Sequence, residues 1–187
     1  MKTLSLSFAA VAVLAFGTSC NSTQSSLVSS KSKAHRIGAI DKRVVRTTAY
    51  SCKENEKGGK YGSNNACGTR LQYGAVRSAA ADWSRYPVGT KFRIAGQPHL
   101  YVIDDYGSAL VGTGTIDIYK PTLSMMRSWG VQNLEIEVLQ WGSYHRSAEI
   151  LKGRLRYKHT RKMYNDIQPK LRRSEVVAAA LPGNAQG

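Results

Sequence analysis

Acidic side chains are scarce in this chain: 12 Asp plus Glu stand against 27 Lys plus Arg, a formal net charge of +15. A surface of that sign selects polyanionic partners such as anionic lipid, nucleic acid or acidic cell-wall polymers. The nucleic-acid option lacks its usual modules, because the sequence holds no zinc-finger spacing, no aromatic stacking motif and no recognition helix. Cysteine is also sparse, with three residues and neither a Cys-x-x-Cys spacing nor an adjacent His, which argues against a metal pair and against Cys67 as a nucleophile. Long apolar runs are missing. Leu4 to Phe16 is broken by two serines and is too short for a spanning helix.

That run has a different use. Met1-Lys2-Thr3 gives it a short basic start, and the small residues Gly17, Thr18 and Ser19 follow it. This is the pattern of a secretory signal over residues 1–19, and it predicts an exported, cell-envelope protein. Cleavage there leaves Cys20 first, the position that is lipidated in bacterial lipoproteins, although Gly17 stands where an aliphatic residue is usual. Residues 20–43 then read as a polar tether, with six serines between Asn21 and Lys33. Outside the cytoplasm a disulfide between the remaining Cys52 and Cys67 is expected. It would close a loop of about 15 residues, worth roughly 3 kcal/mol in the chain-entropy model.

The expected core runs over 44–142. Val44–Tyr50, Lys91–Ala95, His99–Ile103, Thr115–Tyr119 and Asn133–Trp141 read as strands, and Val76–Ala79 as strand or loop. A short helix is expected to start at Pro121 and stop at Gly130. Many short strands with one small helix predict a mainly β fold closed as a barrel of about six strands. Beyond it, 143–175 carries ten Lys or Arg and three acids, with Leu151, Leu155, Met163 and Ile167 on one helical face. Pro169 is expected to end that helix, and 176–187 to be disordered. The charge of this tail suits a membrane surface, and its apolar stripe suits packing on the barrel.

Against so basic a background, Asp82, Asp105 and Asp117 stand out, each in or beside an apolar, glycine-punctuated segment. Asp105 and Asp117 flank β-type runs, and a hairpin would bring them together. Neighbouring carboxylates in a desolvated cleft keep one of them protonated at neutral pH, which is the equipment for glycosidic-bond cleavage. The competing reading is that Asp105 and Gly107 merely shape a turn.

Several segments carry a resemblance. Thr48-Ala49-Tyr50 resembles a Thr-x-Tyr opening, Gly68-Thr69-Arg70-Leu71 a Gly-x-x-Leu turn and Ala80-Ala81-Asp82-Trp83 an Ala-Val-Asp-Pro segment. Tyr86-Pro87-Val88-Gly89-Thr90-Lys91 is similar to Ile-Pro-Leu-Gly-Thr-Lys. Asp105 to Gly112 resembles Asp-Thr-Gly-Gly-Ala-Ile-Lys-Gly, and Ile116-Asp117-Ile118-Tyr119 the third aspartate segment. In this order they resemble the 3D, or three-aspartate, domain, which also closes the membrane-bound lytic transglycosylase A proteins. The resemblance implies a six-stranded double-psi β-barrel and non-hydrolytic cleavage of the MurNAc–GlcNAc bond of peptidoglycan, with no metal or cofactor. It implies Asp117 as a single acid/base. Asp105 would raise the Asp117 pKa, Asp82 would support by hydrogen bonding, and Thr48, Tyr50 and Gly107 would meet the glycan. Three departures stand against the pattern: Trp83 for Pro, Tyr106 for Thr, and a spacer at Thr113-Gly114-Thr115 one residue longer than usual. Motif register selects Asp105 over its neighbour Asp104. The alternative is a module that binds peptidoglycan without cutting it, since the transglycosylases have a second domain forming the other wall of the groove and this chain has no room for one between tether and barrel.

Overall fold

A computed structural model describes residues 41–55 and 62–180. The expected signal peptide, Cys20 and the tether as far as residue 40 lie outside the described residues. So do residues 181–187.

Six strands form the core: β1 (Asp41–Tyr50), β2 (Val76–Ala80), β3 (Lys91–Ile94), β4 (Leu100–Asp105), β5 (Ile116–Tyr119) and β6 (Gln132–Gln140). They close in the order β1-β5-β2-β4-β3-β6 as a barrel. Two pairs are parallel, β1 with β5 and β2 with β4. The others are antiparallel. Alternation drives the closure. Phe92 and Ile94 on β3, Tyr101 and Ile103 on β4, Ile116 and Ile118 on β5, and Ile136 and Val138 on β6 point inward and are buried. On the outer side Lys42 pairs with Glu135 at 3.3 Å and Glu137 at 2.9 Å. β1 begins at Asp41, so the last three residues of the expected tether are strand.

The hairpin expected to join Asp105 and Asp117 does not exist. β2 lies between β4 and β5, and its Ala80 is in register with Asp105 on one side and Asp117 on the other. The register of β2 on β4 shifts by one at Ala79/Ala80, so Asp104 is the extra residue of a bulge. Such bulges re-aim the neighbouring side chain.

Helix α1 (Leu123–Trp129) starts two residues after Pro121. Thr122 caps it by accepting from the Met125 amide at 3.2 Å, and Gly130 at φ +62° ends it. The tail is two helices, α2 (Tyr144–Lys152) and α3 (Lys158–Ala180), joined by the turn 153–157. Their buried residues Ala148, Leu151, Met163 and Ile167 belong to the same core as the barrel. Two expectations fail here. Pro169 does not end α3, which runs through it to Ala180 and thus past Val176, where a disordered end was expected. Pro169 sits at an exposed position, and the carbonyl that loses its donor belongs to Asn165, also exposed, so water can replace the missing bond. Among the described residues no helix is long and apolar enough to cross a membrane.

Candidate active site

The first strand supplies one hydroxyl to each aspartate. Thr48 is in register with Asp117 across the parallel β1–β5 pair, and its Oγ1 donates to Asp117 Oδ1 at 2.6 Å. Tyr50, two residues on and therefore on the same face, donates from its hydroxyl to Asp105 Oδ2 at 3.2 Å. Both carboxyl groups thus open on one side of the barrel, about two strand spacings or roughly 10 Å apart by backbone. The spacer before Asp117 forms a loop in which Gly112 adopts φ +85° and the Thr113 hydroxyl donates to the Leu110 carbonyl at 2.8 Å.

Their surroundings differ in what is left open. Asp105 Oδ1 accepts from the amides of Ala66 (3.1 Å) and Tyr106 (2.9 Å), so with Tyr50 on Oδ2 both oxygens are engaged. Asp117 Oδ2 accepts nothing among the described residues, yet it is not sealed off. Burial raises both groups from the usual 3.8 to about 6. For Asp105, hydrogen bonds from Tyr106, Tyr50 and Ala66 pull down against burial, and the charge of Asp104 pushes up. For Asp117, Thr48 pulls down, Glu54 pushes up and Arg46 pulls down. The expected mechanism, in which Asp105 raises Asp117 by like charge, is therefore replaced by desolvation, with Glu54 as the carboxylate that acts on Asp117. Tyr50, buried beside these acids, is held firmly as the neutral phenol.

Asp82 is elsewhere. It is fully buried, and its carboxylate accepts from the Ser84 amide at 2.8 Å and the Gly112 amide at 2.7 Å. It fastens the loop that precedes β5 and touches neither of the other two carboxyl groups. Asp104 is buried on the far side of the bulge, where Oδ2 accepts from Ser78 at 2.6 Å and Asn65 at 2.8 Å. Its Oδ1 has no partner, and burial raises its pKa, so Asp105 and not Asp104 faces the opening. Gly107 is not in the wall of the cleft. It is extended at φ −128°, and a Cβ there would touch the Leu110 side chain at 3.4 Å.

The expected disulfide is absent: Cys52 and Cys67 are both free. Cys52 Sγ lies 3.6 Å from the Tyr119 hydroxyl, and Cys67 sits in a turn organised by Asn65. Asn65 Oδ1 accepts from the amides of Cys67 (3.0 Å) and Thr69 (3.1 Å), and its Nδ2 donates to Asp104. The segment before β2 is thus held by a buried amide rather than by sulfur.

A cleft of about 640 Å³ opens in front of Asp105. Tyr50, Cys52, Asp105, Tyr106 and Ser108 form the barrel wall. Residues of the 62–71 turn, among them Asn64, Ala66 and Leu71, form a second side. The opposite wall comes from the tail, through Gly153, Arg154, Arg156, Tyr157 and His159. Arg154 ties the walls together, donating to the Ala66 carbonyl at 2.8 Å and the Tyr106 hydroxyl at 3.2 Å. Asp117 is not part of this lining; it lies further round the same rim. Sequence reasoning missed the tail residues of the cleft, since His159 and the arginines show no ligand spacing. Tyr106 was the one available signal, a bulky phenol at a position where the pattern has a small hydroxyl.

Residues 77–140 match the 3D domain. The span runs from β2 to the end of β6 and contains all three aspartates, so the chain carries a 3D domain there, flanked by β1 before it and by α2 and α3 after it. No curated protein matches the chain.

Proposed function

We propose that this protein cleaves the glycan of peptidoglycan as a lytic transglycosylase-like enzyme, with Asp117 as its acid and then its base. The 3D domain supports a peptidoglycan-related role. One observation carries the finer assignment: of the two carboxyl groups that burial raises to about 6, Asp105 has donors on both oxygens, whereas Asp117 keeps an oxygen without a donor among the described residues. A general acid must present a proton-bearing oxygen to the leaving group, and an acid near pKa 6 keeps roughly a tenth of its protons at pH 7. Asp117 protonates the glycosidic oxygen. The resulting carboxylate then removes the proton of the muramyl C6 hydroxyl as the 1,6-anhydro ring closes. Asp105, saturated by three donors, stays fixed and stabilises positive charge on the ring. We further propose that the barrel is a double-psi barrel, a reading supported by its two parallel pairs with strands crossing between them, and that the amino-terminal segment directs export, with Cys20 as a lipid anchor.

A second reading has an observation of its own. The cleft is lined by Asp105 and not by Asp117, which suits a module that holds a glycan without cutting it. Mass spectrometry of purified peptidoglycan after incubation with the protein separates the two. Anhydro-muropeptides from the wild type and none from Asp117→Asn support the enzyme and its acid. Sedimentation with the wall and no product from either protein would leave only the binding reading.

A further inference from the structure

Two arginines in the cleft wall have no carboxylate partner. Every ion pair among the described residues uses Asp41, Glu135, Glu137 or Asp166, and none uses Arg154 or Arg156. Unpaired arginines are ordinary on a chain of charge +15. The placement of these two is not, since both line the one cleft that also holds Asp105. Arg154 is half-buried and spends two of its five N–H donors on Ala66 and Tyr106, which fixes its plane and leaves donors for a ligand. Arg156 lies over the Tyr157 ring, 4.6 Å from its centroid, and donates to the Tyr157 hydroxyl at 2.5 Å. Tyr157 in turn stacks on His159 at 5.8 Å and 23°, and His159 meets Tyr106 at 5.9 Å. The wall thus carries two guanidinium groups held by aromatic rings, with the Tyr157 ring meeting both Arg156 and His159 over its faces, and it lies across the cleft from a wall that carries a carboxyl group.

We propose that the turn between α2 and α3 is a subsite for a carboxylate-bearing saccharide: Arg154 and Arg156 take the carboxylate, held in place by their contacts with Tyr106 and Tyr157. The guanidinium fork matches a carboxylate in a way a lone ammonium does not. This rests on the reading of the cleft as a glycan site and adds to it a preference for anionic glycan. In peptidoglycan the carboxylate has two sources, the lactyl group of a muramyl residue freed of its peptide and the acidic side chains of an intact stem.

The test is calorimetric titration of the full chain with three tetrasaccharides of equal length: GlcNAc–MurNAc repeats with free lactyl carboxylates, the same repeats with intact stem peptides, and neutral chitotetraose. Arg156→Gln is the informative variant, because Arg156 is exposed and its hydrogen bond and ring contact are with the neighbouring Tyr157, whereas loss of Arg154 also breaks the bonds to Ala66 and Tyr106. At least one carboxylate-bearing ligand should bind roughly ten-fold tighter than chitotetraose, as one charge-assisted pair allows, and Arg156→Gln should remove most of that preference. Whichever of the two anionic ligands is favoured identifies the source of the carboxylate. Equal affinity for all three, or an undiminished preference in Arg156→Gln, overturns the subsite and leaves the glycan reading standing. No binding of any saccharide overturns both.

Discussion

Replacing Asp117 with Asn should stabilise the protein at neutral pH and do nothing at acid pH. The sign follows from the direction of the shift. Folding raises the Asp117 pKa from 3.8 to about 6 by burial. Below about pH 3 the group is protonated in both folded and unfolded chains, and the carboxylate costs nothing. As pH rises through 6 the unfolded chain has already released the proton that the folded chain retains, so unfolding becomes easier until the folded group also ionises. A rise of about two pKa units corresponds to about 2–3 kcal/mol of lost stability at pH 7.5. Asn is never charged, and its Oδ1 can still accept from Thr48, so the variant escapes the whole cost. Thermal melts of wild type and Asp117→Asn at pH 3 and pH 7.5 test this. Their midpoints should coincide at pH 3, and the variant should melt higher by roughly 5–10 °C at pH 7.5. An offset of the same size at both pH values would refute the argument, because it would show that the carboxylate is not held against a desolvation penalty. A carboxyl group retained at such a cost is the usual mark of a functional site.

Thr48→Val removes the hydroxyl that favours the Asp117 carboxylate, so the alkaline limb of a peptidoglycan dye-release pH profile should move to higher pH; an unmoved limb would mean Asp117 is not the titrating acid. Asp82→Ala leaves the buried amide of Ser84 and the Gly112 amide without their acceptor, which should cost about 2 kcal/mol in urea denaturation; a change under about 0.5 kcal/mol would deny it the anchoring role. Gly142→Ala should abolish soluble folded protein, since a Cβ there would lie 2.2 Å from the Val88 carbonyl oxygen and 2.6 Å from the Thr90 nitrogen. Gly130→Ala has open space around it, but φ +62° with ψ −140° is a backbone conformation that only glycine adopts readily, so circular dichroism should show a folded protein destabilised by about 1–3 kcal/mol.

The strands were legible because each carries its own alternation of apolar residues, and short-range pattern is what a strand needs. Pairing was not legible, because it depends on which strand inserts between which. Asp105 and Asp117 do meet on one face, but across Ala80 of β2 rather than through a hairpin. The roles of the aspartates were hidden for a similar reason. Motif position places Asp82, Asp105 and Asp117 at one site, whereas Asp82 anchors a loop through the Ser84 and Gly112 amides, Asp105 lines the cleft and Asp117 lies outside its lining. The Cys52–Cys67 bridge looked necessary only while the intervening loop seemed to have no other tie, and Asn65 supplies one. Pro169 misled because the rule against proline in helices is weakest where the orphaned carbonyl can reach water.

The departures from the 3D pattern point to one cause. Trp83 and Tyr106 stand where Pro and Thr are usual, and the two rings meet edge to face at 5.0 Å. Both then contact the tail. The Trp83 amide donates to Met163 Sδ at 3.4 Å, and Tyr106 contacts His159 and accepts from Arg154. The indole nitrogen of Trp83 also donates to the Asp105 carbonyl at 2.8 Å, so the same contact that seats α3 fixes the backbone of the acid. A Pro and a Thr at these positions would offer the helices neither an amide donor nor a phenol. The substitutions therefore belong with the tail, as the barrel's half of a joint whose other half is Met163, Arg154 and His159. That joint gives the cleft a second wall that a lone barrel would lack: the turn between α2 and α3 lines it, and the helices are packed into the barrel's core by Leu151, Met163 and Ile167. The excess of positive charge in the tail acquires a location by the same argument: part of it, at Arg154 and Arg156, lines the cleft that Asp105 also lines.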